Sequence, residues 1–172
     1  MRFKFPALGL LLFFFVSLAL AAGGGSSGGG SSGSGGGGRL ESDVPDPVLD
    51  PVVKAARERI AKDDWLGTQE LLRAALHTSP GNPDYHNLLA FSTRKGPNPD
   101  MALVFAEYAE ALRLDPKHRG AREYLGEAYL QVGDLPKAKE QLAVLDKLCF
   151  FPCEEYSDLK KLVRQYEASH PQ

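Results

Sequence analysis

Residues that carry chemistry are scarce in this chain. Its 172 residues include two cysteines, two methionines, one tryptophan and four histidines. His77, His86 and His118 share no spacing that suits a metal site, and His170 falls in the C-terminal tail. There is no H-E-x-x-H, and G-x-S-x-G and glycine-loop strings occur only inside the Gly/Ser stretch 23–38, which follows no strand and opens no helix, so zinc proteolysis, serine hydrolysis and nucleotide hydrolysis all lack their sites. Lysine and arginine number 20 against 22 acids and gather into no stripe, which excludes the electrostatic footprint of a nucleic-acid binder. No stretch alternates apolar and polar residues for long enough to make a strand. These absences predict an all-α, non-enzymatic chain that needs neither cofactor nor metal.

What is present begins with two segments that build no core. Residues 1–22 carry Arg2 and Lys4, then an apolar run from Ala7 to Leu20 that closes on Ala19-Leu20-Ala21. That order of charge, apolar stretch and small residues reads as a secretory signal peptide cut after Ala21 or Ala22. The other reading is an uncleaved anchor, but the run is shorter than the ~20 residues that a spanning helix needs. No cysteine lies near the cut, which argues against a lipid-modified terminus. Losing Arg2 and Lys4 takes the formal charge from −2 to −4. Every residue from Gly23 to Gly38 is glycine or serine. With no side chains to bury, residues 23–43 are expected to form a flexible linker, its Gly/Ser part spanning roughly 20–25 Å. On an uncleaved chain it would be a tether. The folded part, residues 44–172, is entered through the extended Val44-Pro45-Asp46-Pro47.

Beyond Pro47 the periodicity is helical, interrupted at regular places. Asp50-Pro51 starts a first helix bearing Val52, Ala55, Ala56 and Ile60. Asp63-Asp64 leads into a second with Trp65, Leu66, Leu71, Leu72, Ala75 and Leu76. After Ser79-Pro80-Gly81-Asn82-Pro83 a third runs over about 84–95, and after Gly96-Pro97-Asn98-Pro99 a fourth over about 100–114. The fifth, sixth and seventh are predicted near 119–132, 135–148 and 154–168. The helices repeat in pairs. Leu125-Gly126, Tyr129, Gly133-Asp134, Ala138 and Leu142 align with Leu89-Ala90, Thr93, Gly96 and the run ending Ala111-Leu112-x-Leu114-Asp115-Pro116. A fainter copy upstream holds Ala55-Ala56, Thr68, Leu72, Ala75 and Pro80. Ala55 and Leu89 are 34 residues apart, Leu89 and Leu125 are 36 apart, so the middle copy is longer by two. A period near 34 made of two amphipathic helices is the mark of a helical-hairpin solenoid.

These residues make the chain resemble the tetratricopeptide repeat family. The third copy matches its pattern at Leu125, Gly126, Tyr129, Gly133, Asp134 and Ala138, with Phe150 where proline is usual. The second has Thr93 in place of the aromatic, and the first has Arg59 there. The resemblance covers about residues 47–148. It implies a short right-handed superhelix of about three antiparallel helix hairpins, and Leu159, Leu162, Val163 and Tyr166 form one stripe on a C-terminal capping helix. It also implies a concave groove, walled by the first helix of each hairpin, that binds a protein or peptide. Carried onto this sequence, the groove presents Val53, Arg57 and Ile60, then Asn87, Phe91, Arg94 and Lys95, then Glu123, Glu127, Leu130 and Gln131. Such a wall is basic in the middle and acidic at one end, with Phe91 and Arg94 the residue types that dominate binding energy. A subgroup of the family clamps a terminal carboxylate with a set of Lys, Arg and Asn. At those places this chain has Val53, Arg57, Leu88, Gly120 and Tyr124, so that activity is not carried over.

Cys149 and Cys153 bracket Phe150-Phe151-Pro152. An exported protein meets an oxidising compartment, so a disulfide that fixes the exit of the sixth helix is expected. Pro152 breaks the helix, which frees the pair from the poor geometry of an i, i+4 spacing. The combined reading is an exported, non-enzymatic adaptor or scaffold of the bacterial periplasm or cell envelope, with a protein or peptide partner and no nucleic acid. The alternative is a thiol-redox or copper-handling protein that works through Cys149 and Cys153. A homo-oligomeric structural protein is a third class, since three hairpins leave end faces exposed.

Overall fold

The computed structural model describes residues 50–151 and 153–171. The expected signal peptide and Gly/Ser linker lie outside the described residues. The chain divides between Asp43 and Val44, and everything below concerns the second unit. Among the described residues there are seven helices and no strand: α1 Pro51–Ile60, α2 Trp65–Thr78, α3 Pro83–Lys95, α4 Met101–Leu114, α5 Arg119–Gln131, α6 Leu135–Leu148 and α7 Glu154–Ser169. None is long and apolar enough to cross a membrane.

Each start has a local cause. The first backbone N–H groups of a helix have no intrahelical acceptor, and side chains supply one. Asp50, Asp64, Asn82, Asp100 and Asp134 accept at the N-termini of α1, α2, α3, α4 and α6. The α5 cap is His118, whose Nδ1 accepts from the Ala121 N–H at 3.2 Å. Proline stands in the first turn of α1, α3 and α6, where its missing N–H costs nothing. The turns inside the first and third hairpins share one geometry. Asp64 and Asp134 N–H donate back to Arg59 and Tyr129 carbonyls, and the residue before each has positive φ: 55° at Asp63, 82° at Gly133. Asp63-Asp64, which leads into the second helix, is thus one turn residue and one cap. The two extra residues of the middle copy lie in the α3–α4 turn.

The hairpins α1–α2, α3–α4 and α5–α6 stack so that each buries its apolar face on the next. One core cluster holds Val53, Ala56, Leu72, Tyr85, Leu88 and Leu89. A second holds Ala90, Val104, Tyr108, Ala111, Ala121, Leu125 and Ala128. The third, Ala138, Leu145, Leu159 and Val163, is completed by α7. That helix packs on both α5 and α6, in the place where the first helix of a fourth hairpin would lie. Gly126 makes the approach possible, because a Cβ there would come within 2.8 Å of Leu159 Cδ1. The predicted cap stripe is found as read: Leu159 and Val163 are buried, Leu162 and Tyr166 half-buried.

Cys149 ends α6, Cys153 precedes α7, and the two form a disulfide across a Cα–Cα distance of 5.8 Å. It joins the exit of the last hairpin to the start of the cap. The loop between them holds Phe150 and Phe151 in solvent, 94 % and 77 % exposed.

Candidate functional site

The first helices of the hairpins, α1, α3 and α5, form an inner layer that α7 extends. A cavity of about 840 Å³ opens on this layer, lined from α1 by Arg57 and Ile60, from α3 by Asn87 and Phe91, and from α5 by Glu123 and Tyr124. Glu154, Glu155 and Asp158 of α7 close one side, and the α4–α5 turn adds Lys117 and His118. A second, smaller cavity of about 360 Å³ lies between α5 and α7, lined by Arg94, Glu127, Leu130, Gln131, Leu162 and Tyr166 among others.

The residues predicted for one groove are therefore shared between two hollows. Arg57, Ile60, Asn87, Phe91 and Glu123 line the larger; Arg94, Glu127, Leu130 and Gln131 line the smaller. Two stand elsewhere. Val53 is 2 % exposed and belongs to the first core cluster, because an apolar side chain in this register is drawn under the neighbouring helices. Lys95 is exposed at the end of α3 and lines neither cavity.

The expected basic centre needs correcting as well. Arg94 is buried, and its Nη2 donates to Glu127 Oε2 at 2.6 Å, a pair that ties α3 to α5. Its guanidinium also lies 5.6 Å from the centroid of the Phe91 ring. It is a structural arginine, at the repeat position that Ile60 and Leu130 occupy in the other copies. The cations of the larger cavity come instead from Arg57 and the α4–α5 turn. There His118 Nδ1 is occupied as the cap of α5, so Nε2 carries the hydrogen and donates to Asp84 at 3.2 Å. That hydrogen bond, the main cause, holds the Asp84 carboxyl below its usual range.

Phe91 forms the aromatic floor. Its ring lies 6.2 Å from Trp65 in an edge arrangement and 4.6 Å from Tyr124. Tyr124 and the acids of α7 are lining residues that sequence reasoning missed. In the sequence Tyr124 stands out only as one of the clamp positions, and Glu154-Glu155 open a helix where acids favour its dipole. The available signal was that α7 continues the series of inner helices, so its first turns face the same hollow.

Of the acids expected at one end of the groove, Glu123 lines the larger cavity, whereas Glu127 lines the smaller and is taken by Arg94. Glu123 is 8 % exposed and makes no hydrogen bond or ion pair with any described residue. Burial, and then the charges of Glu127, Asp158, Glu155 and Glu154, push its carboxyl up to about 8. Asn87, equally buried, leaves its side-chain oxygen without a partner. Among the described residues no three His, Cys, Asp or Glu side chains converge as metal ligands.

No family model matches the chain, and no curated protein sequence does so at a significant level. Solved structures do. The type III secretion translocator chaperone SycD of Yersinia enterocolitica superposes with a TM-score of 0.60 at 14 % identity, covering 69 % of this chain and 82 % of that one. The first TPR domain of human RPAP3 gives 0.59 at 17 % identity, covering 69 % and 91 %. SycD in complex with a peptide of the translocator YopD gives 0.58 at 15 % identity, covering 74 % and 95 %. At such identities the likeness establishes the fold, an all-α helical-hairpin superhelix of the tetratricopeptide type.

Proposed function

We propose that this protein is a non-enzymatic adaptor that holds a segment of a partner protein in the larger cavity. The observation that carries this reading is the hollow itself, about 840 Å³ on the inner layer, with an aromatic floor and unpartnered polar side chains in its wall. Unsatisfied buried polar groups cost free energy, so a fold that keeps them in an accessible hollow is prepared for a guest that satisfies them. The likeness to a chaperone solved with a peptide of its client supports the same reading. The signal-like residues 1–22 support a location outside the cytoplasm of a bacterium for the adaptor, in the periplasm or cell envelope.

Crosslinking in intact cells, followed by affinity capture of the full chain, tests this. Wild type should capture a specific partner; Arg57→Glu should lose most of it while the melting temperature holds, and Phe91→Ala should lose most of it at a temperature well below its own, lowered, melting point. Equal capture by both variants removes the cavity from the proposal. The mass of the mature chain tests the export half, with loss of residues 1–21 or 1–22 expected. The alternative built on Cys149 and Cys153 predicts bound copper or thiol turnover. Partner capture that survives Cys149→Ser/Cys153→Ser separates it from the adaptor reading.

A further inference from the structure

Val53, Asn87 and Glu123 occupy the same position in the three successive copies, with Asn87 and Glu123 separated by the same 36 residues as Leu89 and Leu125. The fold buries that position every time, at 2 %, 5 % and 8 % exposure. The first copy fills it with valine, as burial favours. The next two fill it with an amide and a carboxylate that no described residue satisfies. Local packing does not call for these side chains, and both line the larger cavity.

Both present hydrogen-bond acceptors, and their surroundings are anionic. Asp158 and Glu154 stand on the α7 side. Glu155, beside them, is met by Arg119 at 3.4 Å, and Asp84 across the cavity is met by His118. Glu127 on the next turn of α5 is taken by Arg94. Arg57 and Lys117 are the cations on this cavity that make no ion pair with a described residue, and neither reaches Glu123. The Phe91–Tyr124 pair offers faces against which an aliphatic stem or a guanidinium packs.

We propose, building on the peptide-binding reading above, that the Asn87–Glu123 position receives an arginine or lysine side chain of the bound segment. The Glu123 carboxylate meets its charge, the Asn87 oxygen accepts a second hydrogen, and the Phe91–Tyr124 pair packs against its stem. A charge-assisted hydrogen bond in such a site is about twice as strong as a neutral one. A guest cation also favours the ionised carboxyl, so uptake near neutral pH releases a proton from Glu123.

The test is selection of peptides from a random display library on the full chain, followed by titration of a selected peptide. Selected sequences should share one Arg or Lys position, and replacing that arginine by neutral citrulline should weaken binding at least tenfold. Glu123→Gln should weaken the arginine peptide similarly while leaving the citrulline peptide unchanged, and Asn87→Leu should cause a smaller loss. Binding should strengthen from pH 6 to pH 8. Peptides selected without a shared basic position, or a citrulline swap that costs less than twofold, would overturn the assignment and leave peptide binding standing. A calcium chloride titration that shifts the Glu123 carboxyl resonance as strongly as the arginine peptide does also overturns it, in favour of an ion site. A library that returns no peptide above background sinks the peptide-binding reading itself, and this assignment with it.

Discussion

Glu123 and Glu127 lie one turn apart on α5, one lining the larger cavity and the other ion-paired to α3. Opposite Glu127, helix α3 offers Arg94, and the two make a 2.6 Å ion pair. Glu123 shares the larger cavity with Asn87, which brings no charge, and with further acids from α7. Glu127 stitches the inner layer together. Glu123 is held with its proton up to a pH of about 8 and makes no hydrogen bond or ion pair with a described residue. Identical side chains on one helix thus divide between one that ties two helices together and one that no described residue pairs. What divides them is that α3 brings a cation to Glu127, and no described residue brings one to Glu123.

The largest effect expected on this contrast comes from breaking the filled side. Glu127→Gln leaves the Arg94 guanidinium buried without its counter-charge and should cost about 3 kcal/mol in urea denaturation. Arg94→Met/Glu127→Gln together should recover much of that loss. The same Glu127→Gln change should lower the Glu123 midpoint, read by carboxyl carbon NMR, because the Glu127 charge is the strongest of those that raise it. An unmoved midpoint would mean that the two carboxylates do not sense each other.

Next comes the empty side. Because the Glu123 carboxyl is raised in the folded state, its ionisation opposes folding. Its favourable contribution is whole below the ordinary value of 4.5 and is lost as pH climbs through about 8. Glu123→Gln should therefore stabilise the protein by about 2 kcal/mol at pH 9 and make little difference at pH 4. Thermal melts of both proteins across that range check the sign. A gain at acid pH would reverse the argument.

Moving α7 tests where the acid wall comes from. Gly126→Val forces a side chain against Leu159 and should cost about 2 kcal/mol through overpacking. By shifting Asp158, Glu154 and Glu155 it should also drop the Glu123 midpoint. Reducing the Cys149–Cys153 bridge should do less, at most about 2 kcal/mol, since the loop it closes is short. The smallest effect is expected at the turn. Asp63→Gly relieves a positive φ but frees the unfolded chain, for a net change below about 1 kcal/mol in the same denaturation experiment.

The hairpins were legible because their causes are local. Breakers such as Pro80 and Pro116, caps such as Asp64 and Asp134, and the spacing of Leu89 and Leu125 need only nearby residues to act. The cap stripe on α7 was readable for the same reason. The site was legible in part. Arg57, Asn87, Phe91 and Glu123 follow from repeat position, and all line the cavity. Val53 does not, because repeat position fixes the direction of a side chain and says nothing about how deeply the neighbours cover it. Arg94 lines the smaller hollow, and its burial against Glu127 was not legible because the partner lies 33 residues away and pairing across that distance leaves no periodic trace.

Sequence alone determined the elements and their order, since helix periodicity, capping and chain breaks are settled within a few residues. Only the tertiary structure decided which of those polar side chains were spent on the fold. Burial and pairing depend on what stacking brings alongside. Arg94 found Glu127 there, and Glu123 found only more acid.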